Sequence, residues 1–263
     1  PNWVILILPY IEEQALQDTF DFSVPISHDA NRIPRGQLLQ SMICPSDEGH
    51  DTLFSLPGEG DNWARGNYGA NGCLGAYSTT WAGRSGAGPD AEMWQHVLTG
   101  GVMGANVSRS IGQITDGTSQ TILLAELRVG LDVTDRRGTW ALGGPGSSSL
   151  WMHGSDDAIG PNSCLWSSDN IMGCTQIIRA VGIEELRREC FTCCQSCTSS
   201  TQAGPRSKHP GGVFICFCDG SARFILDTIE AASPWQITNP EDLATWQRLN
   251  SAIDGQIADG DKY

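Results

Sequence analysis

The sequence predicts an α+β fold with an antiparallel sheet, long loops and disulfides, and three observations carry that reading. Two β-rich runs, Val213-Phe214-Ile215-Cys216-Phe217-Cys218 and Ser221-Ala222-Arg223-Phe224-Ile225, flank Asp219-Gly220, which is the pattern of a β-hairpin. Short segments with apolar residues at helical spacing lie near both ends of the chain. Ten cysteines, eight of them after residue 160, sit in a chain with 31 glycines, which suits a loop-rich framework stapled by disulfides.

In chain order, Leu8, Ile11, Ala15 and Leu16 predict a short helix over 9–18. A second short helix follows over 34–40, with Pro34 in its first turn. Cys44-Pro45-Ser46-Asp47 reads as a turn. The stretch 61–104 is rich in Gly, Asn, Ser and Trp and reads as irregular, ordered by packing around Trp63, Trp81 and Trp94. A turn at 114–119 leads into a buried strand over 121–127, and 138–142 reads as a second short strand. Residues 143–180 read as irregular again, and a helical turn or two follows from 183 to 190. At Asp219-Gly220 the expected loop is the two-residue type I′ turn, which needs positive φ at both residues. Near the end, Asn239-Pro240-Glu241-Asp242 supplies an N-cap, a first-turn proline and two acids. Leu243, Trp246 and Leu249 then follow at helical spacing up to Gly255. We expect one domain over 1–263: a helical segment (1–40), a sheet with long loops and the cysteine cluster (41–200), then the hairpin and a C-terminal helix (201–263).

Sixteen basic against thirty acidic residues give a net charge of −14. That balance excludes a phosphate backbone as the natural partner and favours cations or a solvated acidic surface. The apolar run Val4-Ile5-Leu6-Ile7-Leu8 is broken by Pro9 and falls far short of the ~20 residues that span a bilayer, so no membrane span is expected in this chain. The cysteine content points to an oxidising, extracellular or cell-surface setting.

The chemical candidates are few. Cys190-x2-Cys193-Cys194-x2-Cys197 could hold zinc, but it lacks the long spacer between two knuckles. Disulfides are the preferred reading, with Cys44, Cys73, Cys164, Cys174, Cys190, Cys193, Cys194, Cys197, Cys216 and Cys218 all as candidates and the pairing left open. His209 with Asp219 would make a base and its orienting carboxylate, yet a strand over 213–218 puts them about 17–20 Å apart. Neither a nucleophile elbow, nor a close pair of zinc-binding histidines, nor a phosphate loop is present. Calcium suits the Asp-rich loops, and Asp132, Asp135, Asp156, Asp157 and Asp169 are its candidate ligands. Nine tryptophans would suit glycan stacking, although a Trp-packed core is the commoner use of such residues.

Several strings then combine in one order: Leu8-Pro9-Tyr10-Ile11-Glu12-Glu13-Gln14, Cys44-Pro45-Ser46-Asp47, Asn67-Tyr68-Gly69-Ala70-Asn71-Gly72, Ile114-Thr115-Asp116-Gly117-Thr118 with the later Glu126, and Ser207-Lys208-His209-Pro210-Gly211-Gly212. Asp219-Gly220-Ser221 and Asp254-Gly255-Gln256 complete the set. With His209 separated by nine residues from Asp219-Gly220, the chain resembles the prepilin-like family of planctomycete-type bacteria that carries the prepilin-type processing-associated H-X9-DG domain. The resemblance implies a type IV pilin-like or pseudopilin-like head. His209, Gly211, Gly212, Asp219 and Gly220 would be structural motif residues of that head. It also implies a precursor leader and a hydrophobic assembly helix, which we expect to be absent from this chain. The expected function is a non-enzymatic extracellular subunit that polymerises with itself, or with other pilin-like proteins, into a filament, tube or surface layer. A secreted glycan- or calcium-binding module is the alternative, and a secreted hydrolase or zinc protein is a third reading.

Overall fold

The computed structural model describes residues 1–73, 80–81, 84–85, 100–151, 160–195, 200, 202–232, 239–260 and 263. Its strands are β1 (Phe54–Leu56), β2 (Gly60–Trp63), β3 (Tyr68–Cys73), β4 (Thr80–Trp81), β5 (Arg84–Ser85), β6 (Met103–Gly104), β7 (Val107–Ser108), β8 (Ile122–Glu126), β9 (Ser149–Trp151), β10 (Gly212–Phe217) and β11 (Ala222–Leu226). Its α-helices are α1 (Trp3–Ile7), α2 (Gln14–Gln17), α3 (Cys174–Val181), α4 (Ile183–Arg188) and α5 (Thr245–Asn250). The fold is α+β. The main sheet runs β11-β10-β8-β3-β9, antiparallel except for the β3–β9 pair. No described helix is long and apolar enough to cross a membrane.

The helix expected over 9–18 is broken into pieces. Asn2 caps α1 by accepting the Ile5 N–H, and Val4, Ile5 and Leu8 go into the core. Pro9 brings no N–H, the chain tightens into a 3-10 turn over Leu8–Ile11, and Glu12 takes a left-handed φ of 65° before α2 begins. The expected 34–40 helix is likewise two 3-10 turns, Pro34–Gly36 and Gln40–Met42. These segments pack with Phe54, Trp63 and Trp140 into one core cluster.

β3 overturns the irregular reading of 61–104. It is a central strand whose two glycines are packing requirements: a Cβ at Gly69 would lie 2.7 Å from Leu127 Cδ1, and one at Gly72 would lie 2.4 Å from Trp151 Cε2. β8 matches the expected strand. The expected strand at 138–142 does not form. Gly138 sits at φ 59°, Thr139 makes an isolated bridge to Arg65, and Trp140 is buried as a loop residue with its Nε1–H on Gln37 O. The irregular reading of 143–180 is corrected by β9 and by α3, which starts beside the left-handed Gly173 and stops at Gly182.

The hairpin forms, but its loop is not the expected type I′ turn. Phe217 N donates to Ser221 O and Gly220 N to Phe217 O, which makes a three-residue loop over 218–220. Only Gly220 has positive φ (84°), because the Asp219 carboxylate accepts the Ser221 N–H and keeps Asp219 in an Asx turn. Val213, Ile215, Phe217 and Ile225 point to one face of the sheet, where Trp246 and Leu249 of α5 cover them. α5 begins later than expected, after a separate 3-10 turn at Pro240–Asp242.

Two disulfides pin the α3–α4 region, Cys164–Cys190 and Cys174–Cys193, and Cys194 is also disulfide-bonded. Cys44, Cys216 and Cys218 are free thiols, contrary to the expectation for them. Their nearest chemistry is described below or is simple burial, which pushes the Cys218 thiol up to about 12. Cys197 and the Cys73 side chain lie outside the described residues, as do Trp94 and the Trp81 side chain.

Candidate functional site

Sheet pairing brings three distant segments together. β8 lies between β3 and β10, with Glu126 at its end opposite Tyr68. The loop before β10 places His209 against the same end, and the Cys44-Pro45-Ser46-Asp47 turn closes over it. His209 Nε2 lies 3.1 Å from Glu126 Oε1 and 3.5 Å from Cys44 Sγ, and the three potential ligand atoms all lie within 4.8 Å of one another. Cys44 and Glu126 are buried, while the His209 side chain is 23% exposed and opens the cluster to solvent. Among the described residues this is the group of His, Cys and carboxylate side chains with metal-ligand spacing.

Each member is held from behind. The second Glu126 oxygen accepts the Phe214 N–H at 2.7 Å, and the Cys44 thiol hydrogen-bonds the Glu126 carboxylate. The His209 N–H donates to Ser207 Oγ, whose hydroxyl donates to Gly212 O, and the imidazole meets the Phe214 and Phe224 rings edge-on at 5.2 and 6.4 Å. Buried Asn67 is the hub of the turn. Its Oδ1 accepts Cys44 N–H at 2.8 Å and His50 Nε2–H at 2.7 Å, and its Nδ2 donates to Asp47 Oδ2 and Leu127 O. Asp47 also accepts Val129 N–H and lies 3.5 Å from Arg128, which with Lys208 binds Glu189. Hydrogen bonds from Lys208 and Arg128 outweigh the partial burial and bring Glu189 down to about 2.

Burial pushes the Glu126 carboxyl up, against the Phe214 N–H and His209 that favour its charge. Burial also pushes the Cys44 thiol up, and the Glu126 charge adds to that, while a Ser46 N–H works the other way.

The other sequence candidates fall elsewhere. Asp219 sits in the hairpin loop, apart from His209 at the opposite end, so they form no acid–base pair. Gly211 and Gly220 take left-handed φ of 83° and 84°, and a Cβ at Gly212 would lie 2.2 Å from Ile225 O, so these motif glycines serve backbone geometry. The calcium reading is not supported by its residues. Asp132 caps Thr134, Asp135 binds Arg137, and Asp169 is clamped between Arg137 and Arg206. Burial alone would raise Asp169, but the Arg206 and Arg137 guanidiniums hold its carboxyl below the usual range. Asp156 and Asp157 lie outside the described residues.

The carboxylate pair Asp116–Asp254 was not singled out by sequence chemistry. Asp116 accepts the Asp254 and Gly255 N–H groups at 2.7 and 2.9 Å and ties the C-terminal segment to the turn before β8. Burial, joined by the neighbouring Asp116 charge, pushes Asp254 up to about 7 despite the Gln256 N–H it accepts. Sequence reading gave Glu126 a place only in a strand and a resembling string, and Cys44 only in a turn, a resembling string and the disulfide candidates. The signal that links them to His209 is strand pairing, which sequence spacing does not carry.

Fold and site define an α+β domain whose sheet end carries a buried thiol–carboxylate–imidazole cluster. Residues 1–232 match the family described as "Protein of unknown function (DUF1559)", SBP_bac_10, and the chain belongs to that family. No curated protein matches the chain, and no solved structure does.

Proposed function

We propose that the protein is a non-enzymatic, extracellular, pilin-like structural subunit that self-assembles into a filament, tube or surface layer. The observation that carries this reading is the second face of the main sheet. The first face is covered by α5; the second presents Leu124, Phe214, Cys216 and Ala222, which together with Trp3, Ile7 and Ile11 of the N-terminal segment line an apolar groove of about 380 Å³. Phe214 remains 45% exposed and Leu226, on the outermost strand β11, 55%. An apolar groove next to a sheet edge is a surface that association would cover. The occupant we assign to it is a second copy of the subunit, because apolar face and edge are continuous on β10 and β11. The H-X9-DG resemblance and the disulfide-pinned loops support the same reading.

Sedimentation velocity over a range of concentrations tests this. Wild type is expected to form large species. Ala222→Glu places a charge at an exposed position in the groove and should leave the fold intact while reducing association at least tenfold. Concentration-independent monomers for the wild type, or an unchanged profile for Ala222→Glu, would contradict the proposal.

A further inference from the structure

We propose that Cys44, Glu126 and His209 form a binding site for a borderline-soft divalent metal ion of the zinc class, with one coordination position left for water. Zinc bonds of about 2.0–2.3 Å at tetrahedral angles separate neighbouring donor atoms by roughly 3.3–3.6 Å. The Cys44 Sγ to His209 Nε2 distance of 3.5 Å falls in that range, and His209 Nε2 to Glu126 Oε1, at 3.1 Å, is a few tenths of an ångström short. A single imidazole nitrogen facing both a thiol and a carboxylate oxygen can share a proton with only one of them, whereas a metal ion engages all three.

The surroundings suit that use. Glu126 has one oxygen fixed by the Phe214 N–H and the other turned to the cluster, which is a one-oxygen ligand. Asn67 and Asp47 fix the turn that presents Cys44. The mixed sulfur, nitrogen and oxygen donor set favours zinc over calcium or magnesium, which take oxygen ligands. His209 provides access from solvent. Binding forms the metal–sulfur bond and releases the Cys44 thiol proton to solvent, with no change of oxidation state. An ion here would clamp segments 82 and 83 residues apart in sequence (126 − 44 and 209 − 126), joining the Cys44 turn, β8 and the loop before β10. It would also shield a thiol that stays unpaired in a chain with disulfides.

The test uses the full chain with its disulfides intact, stripped by a chelator at neutral pH. It is titrated with zinc sulfate by calorimetry and with cobalt(II) by absorption spectroscopy. One ion per chain is expected, with a thiolate-to-cobalt charge-transfer band that disappears in Cys44→Ala. Affinity should drop at least tenfold in His209→Ala and stay unchanged in Cys216→Ala, whose thiol lies elsewhere on β10. Should Cys44→Ala fail to fold, His209→Ala and His209→Gln decide, since the ring is partly exposed and glutamine can still donate a hydrogen bond to Glu126. Binding well below one ion per chain, or equal binding by wild type and His209→Ala, would overturn the proposal. Neither readout depends on self-assembly.

Discussion

Replacing Asn67 by Ala should be among the most damaging polar substitutions in the chain. The side chain is almost fully buried and makes four hydrogen bonds: to Cys44 N, His50 Nε2, Asp47 Oδ2 and Leu127 O. Alanine leaves Cys44 N–H and Leu127 O without this partner, while Asp47 keeps the Val129 N–H. Each buried group left unmade costs about 1–3 kcal/mol, so two of them give a loss of roughly 2–6 kcal/mol. Asn67→Asp preserves the shape but turns an oxygen toward Asp47 in a buried setting, and it should cost at least as much. Urea unfolding of both variants measures this: the midpoint should fall with the slope unchanged. A loss below about 1 kcal/mol for Asn67→Ala, or an Asn67→Asp variant as stable as wild type, would refute the assignment of Asn67 as the hub of the Cys44 turn.

Gly72→Ala should destabilise by about 1–3 kcal/mol or more in thermal melts, because the new Cβ would meet Trp151 Cε2 at 2.4 Å and Leu150 O at 2.8 Å. Asp254 has a pKa raised to about 7 in the folded chain against an ordinary value of 3.8. Its contribution to stability is therefore complete below about pH 4 and is lost as pH rises toward 7, at up to about 1.4 kcal/mol per pH unit. Asp254→Asn should flatten that part of the stability–pH curve, and an unchanged curve would disprove the assignment. Removing the Cys164–Cys190 or the Cys174–Cys193 bridge, which span 26 and 19 residues, should lower stability by about 3 kcal/mol each on loop-closure entropy, read as a shift in urea midpoint.

What could be read from the sequence follows from how local each signal is. β8 announces itself through a continuous apolar run, and the hairpin through two β-rich runs about Asp219-Gly220, although the Asx turn at Asp219 changed the loop type. β3 was hidden because Gly69 and Gly72, which look like loop residues, are there to admit Leu127 and Trp151 from neighbouring elements. The strand expected at 138–142 failed for the reverse reason: its apolar residues are core residues on a loop whose hydrogen bonds go to several segments. The separation of His209 from Asp219 was predictable from strand rise alone. Its meeting with Glu126 and Cys44 was not, since it depends on the order β10-β8-β3 in the sheet. Of the acids read as calcium ligands, Asp135 and Asp169 are partners of buried arginines, a role that only the folded arrangement of Arg137 and Arg206 reveals.

The central claim, that the uncovered sheet face makes this a building block, is tested most directly by electron microscopy of the concentrated protein with disulfides intact, beside Ala222→Glu. Filaments, tubes or sheets that form with the wild type and not with the variant are the predicted result. Dispersed single particles of the wild type across calcium and redox conditions would contradict it.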